Sequence, residues 1–128
     1  MNAGIVLDTS AVLALLQGEP GGETVAAVMA NARLGAANLT EAITRMIDRG
    51  IAADAAWAAI EGLALHIDPV DANLAIRAAT LRGPTRSRGL SLGDRLCLAL
   101  AQRLAVPVYT ADRAWAGLDI GIDIQFIR

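Results

Sequence analysis

Asp8, Glu41, Asp94 and Asp112 are the residues of this 128-residue chain whose type and placement point to chemistry. At least three of the four fall just beyond predicted strand ends. Asp8 directly follows the apolar run Ile5, Val6, Leu7, and Asp112 follows Val108, Tyr109 and Thr110 with only Ala111 between. The C-terminal edge of a parallel sheet is where open α/β folds gather their ligands. Carboxylates collected there, with no histidine close by in sequence and a single cysteine, Cys97, near one of them, form a hard oxygen donor set that suits Mg²⁺ or Mn²⁺ rather than zinc. Such an ion, keeping some of its water, is equipment for phosphodiester hydrolysis: it lowers the pKa of the attacking water and neutralises the leaving oxygen.

Each acid also has a purely structural reading. Asp8 and Asp112 precede predicted helical turns, where a carboxylate caps free backbone N–H groups. Glu41 lies three residues after Asn38, and Asp94 three after Ser91, the spacing of a capping box. Helical phase separates these two. Asp94 shares the flank of a buried face with Cys97 and Ala101, whereas Glu41 projects opposite Leu39, Ile43, Met46 and Ile47. Periodicity alone therefore assigns Glu41 to a solvated face, with Arg45 at i+4 as its ion-pair partner.

The elements that must position these groups follow from the apolar pattern. Ile5–Leu7 reads as a short strand buried on both faces, and Thr9–Gln17 as a helix stopped by Gly18, Pro20, Gly21 and Gly22. A second helix is predicted from Glu23 to Ala32, a weak strand from Arg33 to Asn38, and helices over Leu39–Ile47 and Asp54–Gly62. Leu63–Ile67 reads as a strand around His66, and Asp71 as the cap of a helix running through Leu81. Arg82–Gly89 is polar and rich in breakers, which predicts a mobile basic loop whose Arg82, Arg86 and Arg88, with Arg95 beyond it, are candidate contacts for phosphate groups. Ser91–Leu104 is a long amphipathic helix, Pro107–Thr110 a strand, Ala111–Ala116 a helical turn and Ile120–Ile127 a last strand. Strands alternating with helices predict an α/β fold, one domain over residues 1–128 with a mostly parallel central sheet flanked by helices.

Composition narrows the chemistry further. The formal charge is −2, and all 11 basic residues are arginines. Functions that need a lysine are thereby excluded, among them phosphorelay receivers and haloacid-dehalogenase phosphatases; the latter also want an aspartate where Ser10 stands. A single cysteine, Cys97, rules out an internal disulfide and a cysteine zinc cluster and fits a reducing compartment. It reads as a core residue, and the dispersed aromatics Trp57, Tyr109, Trp115 and Phe126 as packing or interface residues. No apolar run approaches a membrane span, and the chain is expected to begin at Met1 and to stay in the cytoplasm.

Four stretches together resemble the PIN-domain ribonucleases: Ile5 to Ala11 (IVLDTSA), Asn38 to Glu41 (NLTE), Leu90 to Ala101 (LSLGDRLCLALA) and Tyr109 to Trp115 (YTADRAW). The likeness extends to Gly18–Gly21 after the first helix and to Pro69 and Asp71, and it is strongest to VapC-type toxins of toxin–antitoxin pairs. It implies a Mg²⁺- or Mn²⁺-dependent endoribonuclease, usually a homodimer, held inactive by a cognate antitoxin. Position by position, it makes Asp8, Glu41, Asp94 and Asp112 the catalytic and metal-binding quartet, supported by Thr9, Ser10 and Thr110. Where some relatives carry a further acid after the fourth, Ala114 and Trp115 stand here. The competing reading is a degenerate PIN domain that binds RNA or a partner protein without cutting.

Overall fold

The computed structural model describes residues 4–128, so the expected start at Met1 lies outside the described residues. Five strands, β1 (Ile5–Leu7), β2 (Ala32–Gly35), β3 (His66–Asp68), β4 (Val108–Thr110) and β5 (Ile124–Phe126), form one sheet in the order β3-β2-β1-β4-β5. All four pairings are parallel. Helices α1 (Thr9–Gln17), α2 (Gly22–Ala27), α3 (Ala36–Asp48), α4 (Ala53–Glu61), α5 (Ala72–Thr80), α6 (Arg82–Thr85) and α7 (Leu92–Leu104) connect and cover it. No helix among the described residues is long and apolar enough to cross a membrane.

Strand β1 is central because it is apolar on both sides. Val6 packs into a cluster with Leu74, Leu98, Leu100, Val108 and Trp115, while Ile5 and Leu7 point the other way, against Ala11, Ala14, Val25 and Ile127. Successive side chains of a strand face opposite ways, so a three-residue apolar run needs helices on both faces. Alanines meet that need: Ala11, Ala14, Ala78, Ala99 and Ala101 are all buried, and their small side chains let helices approach closely. A third cluster, Val12, Leu13, Leu34, Ala42, Met46, Ala56 and Ile60, joins α1, α3 and α4.

Several local expectations are corrected. Helix α3 starts three residues earlier than the apolar period indicates, because Gly35 at the end of β2 is already its cap and carries no side chain to bond with. Asn38 therefore lies inside the helix, and the Asn38–Glu41 capping box does not form. Strands β3 and β5 are shorter than their apolar runs. Arg82–Gly89 is not a free loop: it forms α6 and a 3₁₀ turn over Arg86–Arg88. Pro84 fits there because the N–H groups of a first turn have no helical partner to lose. Buried Thr85 donates to the Leu81 carbonyl at 2.6 Å, and Arg88 docks on the carbonyls of Ala114 and Ala116.

Candidate active site

The first acid is fixed by the junction of β1 and α1. Asp8 caps α1, with Oδ1 accepting from the Ala11 N–H at 2.8 Å and from Ser10 Oγ at 2.7 Å. Its Oδ2 accepts from Thr110 Oγ1 at 2.6 Å. The cap reading therefore holds for this residue, and the same carboxylate lines the cavity described below. The two hydroxyls also tie the neighbouring strand end in place. Ser10 Oγ accepts from the Ala111 N–H at 2.9 Å, and Thr110 Oγ1 accepts from the Asp112 N–H at 2.9 Å. One network thus sets the separation of Asp8 and Asp112.

Glu41 is positioned from the other side of β1. Its Oε1 accepts from Thr9 Oγ1 at 2.7 Å and from Asn38 Nδ2 at 3.1 Å, while Asn38 Nδ2 also donates to Thr9 Oγ1 at 3.1 Å. The solvated placement drawn from periodicity is corrected: Glu41 is half-buried, and Arg45 makes no ion pair with it. The apolar stripe has the right phase for the α1 and α4 contacts, but the flank of α3 borders the sheet edge, not water. Asn38 and Gly93 are the residues that sequence reasoning missed here. A Cβ at Gly93 would sit 2.5 Å from Glu41 Oε2 and 2.6 Å from Oε1, so the carboxylate occupies the space that the glycine leaves open.

Asp94 forms the capping box read from sequence. Its N–H donates to Ser91 Oγ at 3.1 Å, and its Oδ2 accepts from the Ser91 N–H at 3.0 Å. Asp112 caps the 3₁₀ turn Arg113–Trp115, accepting from the Ala114 N–H at 2.9 Å. In both, as in Glu41, one carboxylate oxygen has no hydrogen bond among the described residues. All four acids, with Thr9, Ser10, Ala111, Arg45 and Arg128, line one cavity of about 240 Å³ at the C-terminal edge of β1 and β4.

The electrostatics are set by burial first, with the neighbouring like charges adding to it. Burial pushes Asp8 up to about 6 against its three hydrogen bonds, with the Asp94 charge adding to the rise. Burial also raises Asp94, and the charges of Glu41 and Asp112 raise it further. Burial, and after it the charges of Asp8, Asp94 and Glu41, push the Cys97 thiol up, so it stays protonated in the core with its Sγ 3.9 Å from the Leu7 carbonyl. Hard oxygen donors under mutual repulsion, three with a free oxygen, fit a divalent cation. No three acidic, histidine or cysteine side chains among the described residues stand close enough to chelate one ion in their present rotamers.

The arginines do not fall as expected. Arg88 is held on backbone carbonyls and Arg95 Nη1 donates to the Ala78 carbonyl at 3.3 Å; Arg82 and Arg86 are exposed. None of the four lines the acidic cavity, whereas Arg45 and Arg128 do. A larger groove of about 650 Å³ along Gly18–Thr24 and Ile127 presents Glu19 and Glu23 without a comparable nest of hydroxyl partners.

The model of the PIN domain matches residues 5–120. The chain belongs to the PIN-domain family. Solved structures share the fold at low identity. A DNA-bound VapBC from Salmonella typhimurium superposes with a TM-score of 0.77 at 20% identity, covering 98% of each chain. A toxin–antitoxin complex from Klebsiella pneumoniae gives 0.73 at 19%, covering 93% of this chain and 95% of that one. VapC20 of Mycobacterium tuberculosis, described as a sarcin–ricin loop cleaving toxin, gives 0.71 at 20%, covering 91% and 97%. A search of curated protein sequences finds no match.

Proposed function

We propose that this PIN domain is a VapC-type toxin, an endoribonuclease dependent on Mg²⁺ or Mn²⁺ and neutralised by a cognate antitoxin. The observation that carries the reading is the convergence of Asp8, Glu41, Asp94 and Asp112, from four separate elements, on one cavity. Those four are the residues that would hold the cation, and when bound it supplies a more acidic water and a counter-charge for the leaving oxygen. The chain's own contribution is preorganisation. Ser10 and Thr110 hold Asp8 and the Asp112 backbone, and Thr9 and Asn38 hold Glu41, so the acids are kept around one cavity.

The substrate in this reading is RNA in the cytoplasm, in keeping with the sarcin–ricin loop cleavage ascribed to the Mycobacterium tuberculosis toxin of the same fold. An antitoxin and a second copy of the chain are the partners. Exposed Ile47, Trp57, Ile76 and Leu92 offer apolar surface for them.

The test is cleavage of total cellular RNA by the purified, antitoxin-free protein with Mg²⁺, with Mn²⁺ and with EDTA, beside Asp94→Asn. Discrete fragments that require the metal and vanish in the variant are the expected result. Folded wild-type protein that cuts no RNA under any of these conditions would make it a non-cleaving RNA- or partner-binding PIN domain.

A further inference from the structure

Arg45 stands one helical turn beyond Glu41 on α3, about 6 Å along the axis at 1.5 Å per residue. A glutamate followed at i+4 by a basic residue is the favourable order for a helical ion pair. Here the pair does not form, although both side chains border the same cavity. The reason is on the acid's side. Glu41 Oε1 is engaged by Thr9 and Asn38, and the rest of its carboxylate lies over Gly93, so it is turned away from its own helix's next turn. Arg45 is exposed and its guanidinium makes no hydrogen bond or ion pair among the described residues, although four carboxylates line the cavity it borders. Arg128, the other cation on this rim, is already donating to the Pro20 carbonyl.

A guanidinium with all its donors free, at the mouth of a cavity built for phosphodiester chemistry, matches one ligand well. A phosphate offers two oxygens in the plane of the fork, whereas none of the four carboxylates below pairs with Arg45. Resting on the nuclease reading above, we infer that Arg45 grips a backbone phosphate of the RNA next to the scissile one, and so positions the strand over the four acids. Sequence alone points instead to Arg82, Arg86, Arg88 and Arg95 for this role, and all four lie outside the cavity.

The test compares wild type, Arg45→Ala and Arg45→Lys in two arms. Cleavage of a single-stranded oligoribonucleotide is followed in Mg²⁺ or Mn²⁺, and binding of the same fluorescein-labelled RNA is followed by anisotropy in Ca²⁺, both from about 50 to 200 mM salt. Arg45→Ala is expected to raise KM about tenfold with kcat within about threefold, the loss of one charge-assisted contact. The slope of log affinity against log salt becomes shallower by about 0.7, the value for one phosphate contact on a single strand. Arg45→Lys keeps the slope and recovers only part of KM, because a point charge lacks the fork.

Wild-type cleavage with an unchanged KM and salt slope in Arg45→Ala overturns the inference and leaves the nuclease reading standing. If wild type binds but does not cut, the nuclease reading fails and the salt slope alone decides Arg45. If wild type neither binds nor cuts, both fall.

Discussion

Gly93→Ala isolates the placement of Glu41 from the stability of the fold. The added methyl would meet the carboxylate at 2.5–2.6 Å, against an ordinary contact of 3.4 Å or more, so one of the two must retreat by about 1 Å. Gly93 is the second residue of α7 and is buried, whereas the Glu41 carboxylate is the end of a flexible side chain; the carboxylate moves. Moving it breaks its bonds from Thr9 and Asn38, at about 0.5–1.5 kcal/mol each. Alanine in place of glycine returns up to about 1 kcal/mol of helix propensity. Net stability therefore stays within about 3 kcal/mol of wild type, while a reacting group displaced by about 1 Å can cost on the order of 100-fold in rate.

The assay pairs RNA cleavage with urea unfolding for Gly93→Ala, Glu41→Gln and the double variant. Because both changes disable the same carboxylate, the double variant should be hardly worse than either single one. Gly83→Ala, where an added Cβ meets nothing within 4 Å, should leave cleavage unchanged and move stability by no more than the helix-propensity gain of about 1 kcal/mol. If Gly93→Ala cuts within about threefold of wild type, or if its loss multiplies with that of Glu41→Gln, Glu41 is not the group that the glycine makes room for.

Thr110→Val, at a fully buried position, removes the donor to Asp8 Oδ2 and the acceptor of the Asp112 N–H, and should cost about 2 kcal/mol in urea unfolding together with most of the cleavage, while Thr110→Ser keeps both. In EDTA, the Asp8 carboxyl, raised from 3.8 to about 6, makes the folded chain bind more protons than the unfolded one between those values. Its contribution is therefore complete below about pH 4 and lost as pH rises through about 6, up to about 3 kcal/mol, and the stability difference between wild type and Asp8→Asn should trace that decline. Trp115 is fully buried but its Nε1 has no partner among the described residues, so Trp115→Phe should cost only about 1–2 kcal/mol by thermal unfolding, against about 3–5 for Trp115→Ala.

Much of the architecture is legible in the sequence because it rests on local signals. Ile5–Leu7 announces a doubly covered strand by being apolar throughout, Gly18 ends α1 with a positive φ, and Asp71 and Ser91 cap α5 and α7 as their positions predict. Asp8, Asp94 and Asp112 are likewise visible, since each is held by backbone N–H groups within three residues of itself. Tertiary structure decided what depends on partners distant in the chain. Glu41 is turned toward the cavity by Thr9, 32 residues away, and by a glycine on α7, neither of which helical phase can register. Arg82–Gly89 is ordered through Arg88 on carbonyls 26 and 28 residues further along, while Arg45, by sequence a surface ion-pair partner, is left free on the cavity's rim. A side chain's neighbours along the helix are set by the sequence; which of them it can bond to is set by what the other elements have already claimed.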